Sequence, residues 1–170
     1  KNETLWQKEK TSEQRLSSHA AYLLDYALEQ VTKVGTARSL TWRLNNKKVA
    51  GKTGTSNALR DSWFIGYDNK HLITTWLGKD NNKPTGLTGS SGALPLFADF
   101  MKRQGVVNKI EDKPEGIVVT LFEQQTGNAV TEQCANTVLY PAVRDGIVTS
   151  KECLQEKVDH RSWFEKVFGE

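Results

Sequence analysis

Apolar residues recur every three or four positions along an early segment of the chain. This spacing is typical of one face of an α-helix, and the residues that follow it are Ala20, Leu23, Leu24, Ala27, Leu28 and Val31. Ser17 or Ser18 is expected to cap the N-terminus, and Gly35 is expected to end the helix. We therefore predict a helix over residues 20–33 that covers a sheet.

Three later stretches are rich in β-branched and aromatic residues in alternation, which favours strands. They span residues 48–55, 62–67 and 71–78, and the polar run from Asp68 to Lys70 is the expected hairpin turn between the last two. Large side chains occupy both faces, with Trp76 on one and Leu77 on the other. This distribution predicts a sheet that is covered on both sides.

A second helix is predicted over residues 93–104. Ser90 or Ser91 is the expected cap, Pro95 is tolerated in the first turn, and Gly105 ends the helix. Its expected buried residues are Leu96, Phe97, Phe100 and Met101.

Residues 36–48, with the turn signal Asn45-Asn46, are predicted to connect the first helix to the first strand. Residues 18–105 thus form a helix, three antiparallel strands and a helix. The fold class that this order predicts is α+β, with an antiparallel sheet flanked by helices.

Beyond Gly105 the composition becomes more polar, and we predict a separate region. It contains a strand at 117–122, a turn at 126–128 and a short apolar piece at 138–143. Asp159 or Ser162 is expected to cap a final short helix whose apolar residues are Trp163, Phe164, Val167 and Phe168. The predicted domains are therefore residues 1–106 and a small β-rich extension, residues 107–170.

The extension holds both cysteines, Cys134 and Cys153. Neither has a second Cys or a His at metal-ligand spacing, so we expect no metal site. The two residues are either free thiols or a disulfide in an oxidising compartment, and we favour the disulfide. Mass spectrometry under non-reducing conditions tests this prediction, and reduced thiols would contradict it.

The charge pattern excludes some partners. Lys and Arg number 23 against 20 acidic residues, and the two signs are interleaved, so we expect no binding to nucleic acid. No apolar run approaches the ~18 residues of a membrane-spanning helix, and no signal-peptide pattern opens the chain.

The most informative stretch runs from Val49 to Thr55. It places Lys52, with its positive charge, beside the hydroxyls of Thr53 and Thr55, and Gly54 allows close approach of a ligand. This combination suits an anion. A Walker A phosphate loop is a poor match, because that motif needs a glycine where Asn46 stands. A purely structural edge strand is the other alternative.

The surrounding residues carry a family resemblance. The runs 50–57 (AGKTGTSN) and 61–67 (DSWFIGY) resemble the penicillin-binding proteins, and the runs 75–82 (TWLGKDNN) and 89–93 (GSSGA) resemble their bifunctional class A branch. The resemblance covers residues 20–104. The cysteine-containing tail and its Trp-Phe ending are similar to the 1b type.

This resemblance implies D,D-transpeptidation of peptidoglycan stem peptides through a serine acyl-enzyme, without a cofactor and with β-lactams as inhibitors. It implies that Lys52 supplies positive potential near the serine. Thr53 and Thr55 would bind the substrate carboxylate beside Gly54, and the backbone N–H of Thr55 would be an oxyanion-hole donor.

The family also needs Ser-x-x-Lys and Ser-x-Asn boxes, and neither occurs in these 170 residues. We therefore predict that this chain alone is inactive. It is expected to be the C-terminal part of a parent that also polymerises glycan, is anchored in the inner membrane outside this chain, and acts in the periplasm.

Two other classes of function stay open. One is a non-catalytic binding or assembly module, and the other is an enzyme similar to the serine β-lactamases. Self-association through exposed sheet edges is a further hypothesis, which light scattering would contradict by finding a monomer.

Overall fold

The computed structural model describes residues 13–131 and 136–150, which fall into two compact units divided between Pro114 and Glu115. The first unit contains α1 (Ser18–Lys33), α2 (Ser39–Arg43), β1 (Ala50–Thr55), β2 (Ser62–Tyr67), β3 (Leu72–Leu77) and α3 (Ala93–Gln104). The second contains β4 (Ile117–Glu123), β5 (Ala129–Val130), β6 (Thr137–Val143) and β7 (Thr149–Ser150). The predicted α+β class is confirmed.

The sheet of the first unit is antiparallel, in the order β1-β2-β3. Its register places Phe64 between Thr53 of β1 and Thr75 of β3. The predicted hairpin turn is confirmed, since the N–H of Asp68 donates to the carbonyl of His71 at 3.0 Å.

Helix α3 packs on one face of this sheet. The centroids of the Phe97 and Phe64 rings are 4.8 Å apart, and both side chains are fully buried. The buried positions of α3 are Ala93, Leu94, Phe97, Ala98 and Met101. The prediction was therefore right for Phe97 and Met101 and wrong for Leu96 and Phe100, which are 47% and 45% exposed.

Helix α3 has the predicted bounds, but its N-terminal cap differs from the prediction. Its N-cap residue is Gly92, without a side-chain cap, whereas a serine cap was expected. Ser91 instead accepts a hydrogen bond from the N–H of Thr88 within the preceding loop. That loop satisfies the helix start through its backbone, since the N–H of Leu94 donates to the carbonyl of Gly89 at 3.0 Å.

The opposite face of the sheet is open in the described residues. Trp63, Ile65 and Trp76 alternate with the buried positions of their strands and are 42%, 47% and 48% exposed. The prediction of a sheet covered on both sides is thus wrong for this part of the chain. The large residues were read correctly as strand residues, but only one face receives helices here.

Helix α1 packs mainly against β1. Its predicted cap is confirmed, since Ser17 Oγ accepts from the N–H of Ala20 at 3.2 Å. Its most buried residues are the polar Glu29 and Thr32. Thr32 is satisfied there because its hydroxyl donates to the carbonyl of Val49, just before β1, at 2.6 Å. Leu24 is 52% exposed, so the apolar stripe covers the sheet only in part.

The connection from α1 to β1 contains a short helix that the sequence analysis missed. Helix α2 has five residues and no side-chain cap, so it carries little local signal. It forms because Leu40 is buried in the core. The predicted turn at Asn45 and Asn46 is confirmed, since both have positive φ angles of 52° and 61°.

The segment after α3 is tied to the body of the first unit. The N–H of Val107 donates to Asp68 Oδ2 at 2.9 Å. Lys109 Nζ lies 2.7 Å from Asp25 Oδ1, and Tyr67 donates its hydroxyl proton to the same oxygen at 2.6 Å. Burial and this hydrogen bond raise the pKa of Tyr67 above its ordinary value.

Asp68 makes the stability of this junction dependent on pH. Burial alone raises its pKa, but hydrogen bonds from the backbone of Val107, Lys70 and His71, and from the His71 ring, outweigh burial and hold the pKa below its ordinary value. A lowered folded-state pKa stabilises the protein above the unfolded-state pKa, and this contribution is lost as pH falls through the folded-state pKa.

We expect Asp68→Asn to lower the free energy of unfolding by about 1–3 kcal/mol at pH 7, because an amide group replaces a carboxylate that accepts several hydrogen bonds. The loss should begin to shrink below about pH 4, where the unfolded-state carboxylate becomes protonated, and it should be smallest below the lowered folded-state pKa, where the native carboxylate is protonated as well. Urea unfolding at pH 7 and pH 3 measures it, with the exposed Asp80→Asn as control. Equal losses at both pH values would contradict this account.

The second unit is a four-stranded sheet in the order β6-β4-β5-β7. The strands predicted at 117–122 and 138–143 are confirmed as β4 and β6, and the predicted turn contains Gly127 with φ of 71°. Cys134, Cys153 and the helix predicted to begin near Asp159 lie outside the described residues. The disulfide and that helix therefore stay predictions.

Candidate active site

Strand β1 carries all the site residues expected from the sequence, and it pairs with β2 along one side only in the described part of the chain. Alternation places Thr53 and Thr55 on the sheet face of Phe64, which α3 covers, and Lys52 and Gly54 on the other face. The lysine and the hydroxyls therefore flank one strand from two sides. A ligand lying along its free edge would meet both.

Hydrogen bonding shows which backbone groups point to that free edge. The N–H of Ser56 donates to the carbonyl of Asp61 at 3.1 Å, so this pair is hydrogen-bonded. Because bonded and non-bonded pairs alternate in an antiparallel ladder, Thr55 and Thr53 belong to non-bonded pairs. The N–H of Thr55 and the carbonyl of Thr53 consequently point away from β2.

Lys52 confirms the direction of the Thr53 carbonyl. Its Nζ donates to that oxygen at 2.9 Å, and the side chain is exposed. The ammonium group thus lies at the free edge of β1, beside the outward carbonyl of Thr53. The next outward group along this edge is the N–H of Thr55, so the positive charge lies near it. A bare edge carbonyl would repel an anion, and the lysine offsets this repulsion.

The loop before α3 holds the Thr55 side chain in place. The N–H of Gly89 donates to Thr55 Oγ1 at 2.9 Å, so this oxygen acts as an acceptor and its own proton is available for another group. The contact needs glycine at position 89, because a Cβ there would lie 2.7 Å from the carbonyl oxygens of Gly54 and Trp63. Buried Ser62 fixes the same loop by donating to the carbonyl of Thr88 at 2.7 Å.

Several side-chain hydrogen bonds hold the turn that follows β1 in place. Asp61 accepts hydrogen bonds from Ser56 Oγ at 2.9 Å and from Trp76 Nε1 at 3.1 Å. These contacts hold a connection in which Ala58 and Leu59 have positive φ angles of 57° and 53°. Such strained backbone persists only when its surroundings fix it, so Asp61 helps to set the end of β1.

Thr36 is a site residue that the sequence analysis did not assign. Its Oγ1 lies 2.8 Å from Thr53 Oγ1, across the gap between the α1–α2 connection and β1. The sequence placed Gly35 at the end of the first helix and residues 36–48 in a connection, and no local pattern pairs this segment with β1.

The site offers hydroxyl donors, an outward backbone N–H and a cation around one edge, which suits a carboxylate and a developing oxyanion. The described residues contain neither a Ser-x-x-Lys nor a Ser-x-Asn sequence. Those residues also contain no group of three or more His, Cys, Asp or Glu side chains that could hold a metal ion. No described helix has the length and hydrophobicity of a membrane span.

The described residues thus combine helices on an antiparallel sheet with a Lys-Thr-Gly strand at a free edge of that sheet. The transpeptidase-domain model of the penicillin-binding proteins matches residues 2–102. The chain belongs to the penicillin-binding protein transpeptidase family.

Relatives and a solved structure agree with this assignment. The chain is 37% identical to penicillin-binding protein 1B of Vibrio cholerae over 91% of its own length, and 40% identical to penicillin-binding protein 1B of Escherichia coli over 59%. It spans only 20% and 12% of those two relatives. A crystal structure of penicillin-binding protein 1A from Haemophilus influenzae has the same fold, with a TM-score of 0.72 at 22% identity, over 85% of this chain and 23% of that protein.

Proposed function

We propose that β1 is one wall of the active site of a peptidoglycan D,D-transpeptidase that works through a serine acyl-enzyme. The observation that carries this proposal is the free edge of β1. The outward N–H of Thr55, the Thr53 and Thr55 hydroxyls and the Lys52 ammonium group all border this edge, and together they suit an anion.

The chemistry assigns a role to each group. A serine oxygen loses its proton and attacks the penultimate D-Ala carbonyl, whose oxygen becomes an oxyanion that the N–H of Thr55 stabilises. The oxyanion collapses, the amide bond breaks, and the nitrogen of the terminal D-Ala takes up the serine proton and leaves. Thr53 and Thr55 bind the carboxylate of this D-Ala beforehand. An amine of a neighbouring peptide strand then attacks the acyl ester and forms the cross-linking amide, while the ester C–O bond breaks and the serine oxygen regains a proton from the amine. With a β-lactam, the ring opens and nothing leaves.

Lys52 and Gly54 support these steps. The lysine raises the electrostatic potential where negative charge develops and assists proton transfer at the serine. Gly54 keeps the strand close to its neighbours, because a Cβ there would lie 3.2 Å from the Cβ of Trp63. The serine and its partner lysine would come from a part of the parent protein outside these 170 residues.

Three further proposals concern the parent protein. We infer that it also polymerises glycan, as expected for the class A branch, and that it is anchored in the inner membrane with this chain in the periplasm. A disulfide between Cys134 and Cys153 would suit that oxidising compartment.

A labelled penicillin should acylate the native gene product that contains this chain, and it should not label the 170-residue chain alone. Losing the nucleophile of a concerted site typically costs a factor of ~10⁶, which is below detection in a gel assay. Fluorescence after denaturing electrophoresis measures both.

The control is the gene product pretreated with unlabelled penicillin, which should block the signal. Labelling of the isolated chain would contradict the missing-nucleophile argument. If the native gene product acquired no label, the result would contradict the transpeptidase proposal and favour a binding or assembly module. If it were labelled but lost the label rapidly, the result would favour a β-lactamase.

A further inference from the structure

Thr36 lies at a place that the fold fixes tightly. A Cβ at Gly35 would lie 2.8 Å from the Cα of Val31, so the chain passes against α1 at a distance that only glycine allows. On its other side, Ala37 is fully buried and its N–H donates to the Val31 carbonyl at 3.0 Å. Thr36 is exposed between these two anchors, with its Oγ1 2.8 Å from Thr53 Oγ1.

A hydroxyl has one proton, so a chain of hydroxyls has a direction. If Thr36 donates to Thr53, the Thr53 oxygen is an acceptor and its proton is free for an anion. Thr55 already has this polarity, because the backbone N–H of Gly89 can only donate to its oxygen. The two threonines would then present two hydroxyl protons on one face of β1.

We propose that Thr36 is a positioning residue that donates to Thr53 and aims the Thr53 hydroxyl proton at the substrate carboxylate. This inference rests on the proposed transpeptidase function. Thr36 itself does not touch the reacting atoms. It acts because each donor in a chain of hydrogen bonds polarises the next, and because it removes the alternative in which the Thr53 proton points toward Thr36.

The test uses the native gene product and two probes, a labelled penicillin and its carboxyl methyl ester. Thr36→Val should lower the second-order acylation rate constant for the anionic penicillin about tenfold, the lower range for a hydrogen bond to a charged group. It should change the rate constant for the neutral ester less than twofold. Thr36→Ser, which keeps the hydroxyl, should restore most of the rate with the penicillin.

A double-mutant cycle gives a second readout. Because Thr36 acts through Thr53, adding Thr36→Val to Thr53→Val should cause little further loss with the penicillin. Thr74→Val, an exposed position on β3, is the matched control and should leave both rate constants unchanged.

Two results would overturn the inference while leaving the proposed function intact. Equal losses with both probes would mean that Thr36 only supports the local structure. An unchanged or higher rate with the penicillin would mean that Thr53 donates to Thr36. A wild-type gene product that neither probe acylates would overturn the proposed function, and this inference with it.

Discussion

Replacing Lys52 by alanine in the native gene product is expected to lower the acylation rate constant with a labelled penicillin about a hundredfold or more. The ammonium group lies at the free edge of β1, bonded to the outward Thr53 carbonyl. Its loss removes positive charge from the place where the oxyanion and the substrate carboxylate gather, and it leaves a bare carbonyl there. Removing a single group of this kind typically costs a factor of about 10²–10³.

The rate constant can be measured by stopped-flow fluorescence or by time-resolved labelling. Lys79→Ala is a matched control, because Lys79 is also exposed and donates to a backbone carbonyl, that of Pro84, at 2.8 Å. That variant should acylate like the wild type. If the acylation rate constant of Lys52→Ala were within threefold of the wild-type value, Lys52 would have no electrostatic role in acylation.

Replacing Phe97 by alanine is expected to lower the free energy of unfolding by about 3–5 kcal/mol, the usual cost of emptying a fully buried phenylalanine site. Phe97 has no exposed surface, and its ring contacts Phe64 at the centre of β2. A cavity there would loosen α3 from the sheet that supports β1. Such a loss is a large part of the stability of an ordinary domain.

Urea unfolding followed by circular dichroism measures this loss, and Phe100→Ala is the matched control. Phe100 lies three residues further along α3 but is 45% exposed, so its truncation should cost much less. Equal losses for the two variants would show that the face of α3 assigned to the core is wrong.

The contrast between Phe97 and Phe100 also shows where sequence reasoning fails. Periodicity located α3 and its ends, because its apolar residues, Pro95 and Gly105 are local signals. It did not separate two phenylalanines three positions apart, since both lie near one apolar side of the helix. Which of them enters the core depends on the sheet beneath, where Phe64 meets Phe97.

The sheet shows the same division. Alternation predicted β2 at residues 62–67, the bounds that the structure has. It also placed Trp63 and Ile65 on one face, but a strand pattern cannot say whether that face is covered. In the described residues the helices lie on the face of Phe64, because Phe97 and the other core side chains gather there.

The strand that carries Lys52, Thr53 and Thr55, and the chemistry that these residues suit, can be predicted from local sequence because those groups are neighbours in the chain. The contacts that hold them depend on how distant segments pack. Thr36 reaches Thr53 across 17 residues, and Gly89 reaches Thr55 across 34. Neither contact leaves a periodic trace in the sequence. Each depends on a close backbone approach, at Gly35 and at Gly89, that exists only after the helices have packed on the sheet.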